Sequence, residues 1–242
     1  MATMAPTVSK RMLRFVPEES SHEDLSFRYM KHMLAHERQE GFSLAHAALD
    51  DGLSLQELYL DVLQPVQHDI GWLWQTGKIS VGHEHYCTNA TQLLMASLYP
   101  RLFKPGKKGL RLLAACVEGE LHELGVRMLA DVFEMEGWNT DFLGANTPQE
   151  SVIQMLEATE ADVLAIGISM YYHLDKVEQL VSATKKHFKG DEPVILVGGY
   201  PFRNVDALWG NVGADGTALD ANEAVRTAEA LVRVSGQAGD QT

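Results

Sequence analysis

Apolar positions change rhythm once along this chain, near residue 105. Before it they recur at three and four residues. Leu55, Leu58, Val62 and Val66 share the spacing that places side chains on one face of an α-helix. Ser54 and Glu57 ahead of them have the capping-box pattern, in which each side chain bonds the other residue's backbone N–H. This helix is predicted to kink at Pro65 and to run on through Ile70, Trp72 and Trp74 towards Gly77. A second helix spans Val81 to Tyr99, with Pro100 at its end. Two shorter ones are predicted near Leu25–His36 and Ser43–Asp50. Four helices with short connections predict a bundle.

After the break the texture alternates. Lys104 to Gly109, with Pro105 and Gly106, reads as a linker. Apolar strands are predicted at Leu110–Val117, Thr140–Leu143, Val163–Ile168 and Val194–Val197. Amphipathic helices separate them, near Leu121–Glu136, Pro148–Thr159 and Leu174–Phe188, and Ala221–Val234 closes the chain. Apolar strands alternating with helices predict a doubly wound parallel sheet buried on both faces. The fold class is therefore α/β, an N-terminal four-helix bundle followed by a Rossmann-like domain. The expected limits are 1–23 for a lead-in, 24–104 for the bundle and 109–235 for the sheet domain. Pro, Ser, Thr and Glu in the lead-in predict disorder.

Composition narrows the function classes. Twenty Lys and Arg against 33 Asp and Glu give a net charge of -13 over 242 residues. An acidic chain without a clustered positive field is a poor direct partner for nucleic acid. No apolar run approaches the roughly 20 residues that span a bilayer, and the N-terminus has no apolar signal region. The expectation is a cytoplasmic protein with no membrane contact. Cys87 and Cys116 are too few and too far apart for a disulfide framework or a zinc site, and read as small buried hydrophobes.

The residues that carry chemistry fall where strands end, and ligands of open α/β sheets bind at those carboxyl ends. Glu120, His122 and Gly125 follow the first strand, and Ser169 follows the third. Gly198 and Gly199 follow the fourth, and Gly213, Asp215 and Gly216 lie in a later loop. Each has an ordinary reading alone: a solvated loop histidine, turn glycines, a loop acid. Together they point to one edge that admits a bulky ligand, because glycine lets a ligand approach the backbone.

The order Glu120-x-His122-x-x-Gly125, Ser169, Gly198-Gly199 resembles the D-x-H-x-x-G, S-x-L, G-G pattern of cobalamin-binding domains, with Glu120 in place of Asp and Tyr171 in place of Leu. The resemblance implies that His122 is the metal ligand, coordinating cobalt from below. It implies that Glu120 orients the imidazole, and that Ser169, Gly198 and Gly199 line a groove for the nucleotide tail, bordered by Asp215 and Gly216. In the helical half, Trp74, Glu84 and His85 form a W-x9-E-H arrangement, whose ordinary reading is a core tryptophan and two surface residues. Placed before a cobalamin domain it resembles the cap of CarH-type photoreceptors, where such residues hold the upper adenosyl group. That family has a His after the Trp, and this chain has Gln75.

The resemblance thus implies a light sensor, not an enzyme, in which photolysis of adenosylcobalamin changes assembly or contact with a regulatory protein. A homo-oligomer is expected, and the photocobilin-like variant of the reading adds biliverdin as a second chromophore. The alternative is the corrinoid protein of a methyltransferase system, with cobalt cycling between Co(I) and methyl-Co(III).

Overall fold

The helical pattern of the first half is realised by α1 (Glu23–Leu34), α2 (Arg38–Asp50), α3 (Leu55–Glu57), α4 (Gln64–Gln75) and α5 (Val81–Leu98). These belong to a computed structural model that describes residues 9–17, 20–103, 106–205 and 207–239, and that divides between Leu102 and Phe103 into two units. The capping box forms: Ser54 Oγ accepts the Glu57 N–H at 3.1 Å, and Glu57 Oε2 accepts the Ser54 N–H at 2.9 Å. Pro65 does not break the helix. A π-helical turn, Leu58–Leu63, joins α3 to α4 just ahead of it. The wider turn absorbs the missing proline N–H and the crowding of its ring against the preceding turn. Leu58, Tyr59, Val62, Leu63, Val66 and Ile70 are all fully buried, so the predicted apolar face is the core of this unit.

The expected disorder of the lead-in needs correction where it is described. Residues 1–8 and 18–19 lie outside the described residues. Lys10–Met12 form a 3-10 turn and Val16 is buried. The cause is a long-range anchor: Asp69 Oδ1 in α4 accepts the N–H groups of Arg14 and Phe15 at 2.7 and 3.3 Å. The Arg14 guanidinium also stands 4.9 Å from the Trp72 ring centroid, a cation–π contact. Polar composition over 1–23 hides this, because the acceptor comes from far along the chain.

In the second unit β1 (Arg111–Val117), α6 (Leu124–Met135), β2 (Asn139–Thr147), α7 (Gln149–Thr159), β3 (Val163–Gly167) and α8 (Leu174–Phe188) follow in turn. Then come β4 (Val194–Gly198), the short α9 (Tyr200–Asn204) and α10 (Leu208–Asn211), β5 (Gly216–Thr217) and α11 (Ala221–Gly239). The sheet is parallel with order β2-β1-β3-β4-β5. This is the doubly wound sheet predicted from the alternation, with a fifth strand of two residues, too short to show a pattern. Gly167 lets α6 close on the sheet, since a β-carbon there would run into Val126 Cγ2. Connections leave β1 and β3 in opposite directions, so their C-terminal ends bound the switch-point crevice. Among the described residues no helix is long and apolar enough to cross a membrane.

Candidate functional site

At the end of β1 the chain makes a loop before it turns helical. Gly119 adopts φ +88, and Glu120 N–H returns to the Val117 carbonyl at 3.0 Å. Helix α6 therefore begins at Leu124 rather than at the predicted Leu121, which leaves Glu120 and His122 on the loop. Asn146, itself at φ +51, fastens the loop from β2: its Oδ1 accepts the Gly119 N–H at 2.7 Å. Its own N–H donates to the Glu120 carbonyl at 2.8 Å.

The Glu120 side chain is fully buried, with both oxygens engaged. Oε1 accepts the His122 N–H at 3.0 Å and His122 Nδ1 at 2.5 Å, while Oε2 accepts the N–H groups of Ser169 and Met170 at 2.7 and 3.3 Å. One carboxylate thus ties the loop after β1 to the loop after β3. Burial alone would raise the Glu120 pKa, but the hydrogen bonds from His122 and Ser169 and the His122 charge outweigh it and hold the carboxyl at about 2. A carboxylate accepts only, so it keeps the proton on Nδ1 and makes Nε2, on a half-exposed ring, the nitrogen that could coordinate a metal.

The sign of that shift gives a test in acid. Glu120 contributes stability that is present in full above its ordinary value of 4.5 and is lost as pH falls towards about 2. The Tm of the wild type is expected to fall more steeply over that window than the Tm of Glu120→Gln. Parallel curves would contradict the assignment.

The glycines of the same edge divide by cause. Gly199 has φ +109, and a β-carbon there would strike the Ile168 carbonyl oxygen, so the backbone itself requires glycine. A β-carbon at Gly125 or Gly198 would meet nothing within 4 Å. Packing does not demand glycine at either place, and the open space beside them suits a bulky cofactor. With the Nε2 donor of His122, these residues fit a corrinoid. Around them stand exposed apolar side chains: Leu121, Tyr172 and Tyr200 are 71, 68 and 62% exposed, and Tyr171 meets Tyr200 edge to face at 6.2 Å.

Two sequence-predicted residues do not join this edge. Asp215 lies by the opening of β4, where its Oδ2 accepts the Ile195 N–H at 2.8 Å and its Oδ1 pairs with Lys185 at 3.0 Å. Gly216 pairs with Leu196 and lies against Thr227 and Leu231 of α11. The loop that looked like a groove border is the short strand β5 and its anchor. Sequence reasoning missed Asn146 and also His173, a buried ring whose Cε1 would lie 3.0 Å from a Gly119 β-carbon. The sign of Asn146 was available in its type, since asparagine tolerates left-handed backbone.

In the helical unit Trp74 ends α4 partly exposed, and Glu84 and His85 lie in the first turns of α5. Glu84 Oε1 accepts the Thr88 hydroxyl at 2.9 Å, and its Oε2 is 3.6 Å from His85 Nε2. Cys87 and Cys116 are buried, and burial first, then the nearby Glu84 for Cys87 and Glu120 and Glu123 for Cys116, push both thiols up to about 12. Neither is a nucleophile at neutral pH.

Residues 110–226 match the family model described as B12 binding domain, and residues 26–99 match a second model of the same description. A corrinoid protein of Desulfitobacterium hafniense is 25% identical over 195 residues, covering 78% of this chain and 88% of its own. The dimethylamine corrinoid protein of Methanosarcina barkeri is 25% identical over 169 residues, covering 68 and 78%. The structure of the Methanosarcina barkeri monomethylamine corrinoid protein has the same fold, with a TM-score of 0.73 at 19% identity over 88% of this chain and 100% of that one.

These matches correct the light-sensor expectation. The relatives are named as corrinoid proteins, two of them for methylamines, and none of the three for light, a bilin or signalling. The nine residues between Trp74 and Glu84 span the turn at 76–80 that joins α4 to α5.

Proposed function

We propose that this chain, whose residues 110–226 and 26–99 match two models described as B12 binding domain, is a corrinoid carrier for a methyltransferase system. In this reading His122 holds the corrinoid, and a methyl group passes between partner proteins. The observation that carries the reading is the Glu120 carboxylate, fully buried and bonded at once to His122 and to the Ser169 loop. Support for the methyl group as cargo comes from relatives named as dimethylamine and monomethylamine corrinoid proteins.

When bound, a corrinoid supplies a cobalt centre that accepts and gives up a methyl group. The chain's own residues bind and orient. Glu120 keeps the His122 proton on Nδ1 and fixes the ring plane, so Nε2 is presented towards the metal. The Ser169 and Met170 N–H groups keep that carboxylate from turning away. Gly125 and Gly198 leave room for the ligand, and Leu121, Tyr171 and Tyr200 offer apolar ground to a macrocycle. In this reading the chain carries the group, and the catalyst is a partner methyltransferase. In this reading the group carried would be methyl rather than the adenosyl expected with the light sensor.

The test is retention and transfer. Full-length protein mixed with methylcobalamin is expected to keep one corrinoid per chain through gel filtration. It should lose the methyl group to a thiol only when a corrinoid-dependent methyltransferase is added. Retention without enzyme-dependent loss of methyl would remove the carrier reading and leave cobalamin binding.

A further inference from the structure

Within the helical unit, the end of α1 and the start of α5 bring two histidines together. The chain leaves α1 through His36, whose backbone is left-handed at φ 62. The His36 N–H donates to the Met33 carbonyl at 3.1 Å, and the Glu37 N–H to the His32 carbonyl at 2.9 Å, which closes the helix end. Glycine is the usual residue at that position, and histidine there costs backbone energy that glycine does not. Burial does not offset the cost, because His36 is exposed. The ring does gain two neighbours in α5: its centroid lies 5.3 Å from that of His83 and 4.4 Å from that of Tyr86.

His83 is oriented from its other side. Ser80, the N-cap of α5, accepts the His83 N–H at its Oγ, and His83 Nδ1 lies 2.7 Å from the same oxygen. With Oγ as the acceptor, the ring hydrogen sits on Nδ1 and Nε2 carries the free lone pair. That is the pattern of a metal-binding histidine, whose second N–H goes to an oxygen. The His36 ring makes ring contacts but no hydrogen bond or ion pair among the described residues. Two imidazoles bound to one tetrahedral zinc at about 2.0–2.1 Å have ring centres roughly 5 Å apart, and the His36–His83 spacing of 5.3 Å meets this. The rings are tilted by 52°, so they are not stacked face to face. The nearby His32 is already engaged, with Nδ1 at 2.9 Å from Glu37 Oε2. Among the described residues no group of three or more His, Cys, Asp or Glu forms a full metal set, so the remaining positions fall to water.

We infer that His36 and His83 bind a divalent transition metal of the zinc class, with water completing its coordination. Imidazole donors suit zinc, nickel and copper, whereas magnesium and calcium take oxygen ligands. The bound ion ties the end of α1 to the first turn of α5, and so acts as a clip on the helical unit. The site is separate from His122, which belongs to the other unit, and it stands whether or not the carrier reading holds.

The test is a calorimetric titration of the full chain with zinc, after a chelator has stripped it of metal. Wild type is expected to take up one zinc per chain in a saturable phase. Zinc at a hundred times its dissociation constant should raise Tm by about 5 °C or more. His36→Gly separates a ligand from a packing residue. Its backbone suits glycine, so the zinc-free Tm is expected to hold or rise, while zinc affinity falls by at least about tenfold. His83→Gln should lose zinc to the same extent, His32→Gln should keep it, and magnesium should shift nothing. No zinc uptake by wild type, or uptake by His36→Gly and His83→Gln as tight as by wild type, would overturn the site. A lower zinc-free Tm in His36→Gly with zinc binding intact would also overturn it, since the ring would then pack and not ligate. Magnesium bound as tightly as zinc would overturn the metal class.

Discussion

Replacing His122 with alanine is expected to lower the affinity of the full chain for hydroxocobalamin by at least about 100-fold. Losing a residue that only orients a metal-bound histidine costs about 10–100-fold in metal affinity, and losing the ligand itself should cost no less. Glu120→Gln tests the lower end of that scale. Its amide can still meet the Ser169 loop, but it no longer offers a charged acceptor to Nδ1. An absorbance titration of wild type and both variants reads the order directly: wild type tightest, Glu120→Gln intermediate, His122→Ala weakest. Both changes should lower the apo Tm: Glu120→Gln alters a buried carboxyl with both oxygens bonded, and His122→Ala takes from that carboxylate the ring hydrogen bond that helps to keep it ionised. Equal affinity in wild type and His122→Ala would place the cobalt ligand elsewhere.

Gly199→Ala is expected to give the largest loss of stability of any single substitution at the sheet edge, about 3 kcal/mol or more. Two costs add. A φ of +109 is a region that alanine rarely adopts, and the new methyl group would strike the Ile168 carbonyl oxygen, which belongs to backbone and cannot swing aside. Gly125→Ala and Gly198→Ala are the controls, because their β-carbons meet nothing within 4 Å. Gly125 lies in the first turn of α6, so alanine there should leave the apo-protein unchanged or stabilise it by a few tenths of a kcal/mol to about 1 kcal/mol. Both controls should nevertheless weaken corrinoid binding if the ligand takes the open space beside them, as the proposed site requires. Chemical denaturation and cobalamin titration of the three variants give the contrast. Gly199→Ala as stable as wild type would show that the Ile168 carbonyl can yield.

Features held by neighbouring residues were legible in the sequence, and those held by distant ones were not. The capping box of Ser54 and Glu57 spans three residues and forms as read. Strands β1, β3 and β4 are continuous apolar runs buried on both faces, and they stand close to the predicted limits. By contrast, Asp69 anchors Arg14 from 55 residues away, and Glu120 reaches Ser169 across 49. Neither partnership leaves a local pattern. Residue type could suggest that Glu120 orients His122, but not that its second oxygen holds the loop after β3. Asp215 failed in the opposite sense: an acid between glycines reads as a ligand loop until pairing with Ile195 shows a strand anchor. The light-sensor reading is corrected by relatives named as corrinoid proteins rather than by any local feature of Trp74, Glu84 and His85, whose spacing follows the turn between α4 and α5.

His122, proposed as the residue that holds the corrinoid, should supply a nitrogen to cobalt. Electron paramagnetic resonance of the full chain loaded with cob(II)alamin, prepared once at natural abundance and once with 15N-histidine, reads that nitrogen. Ordinary nitrogen splits each cobalt line into three and the heavy isotope into two. Labelling only the protein's histidines is expected to convert triplets to doublets, and Glu120→Gln to keep the conversion at lower occupancy. Triplets unchanged by the label would contradict it, because the coordinating nitrogen would then belong to the cofactor's own base.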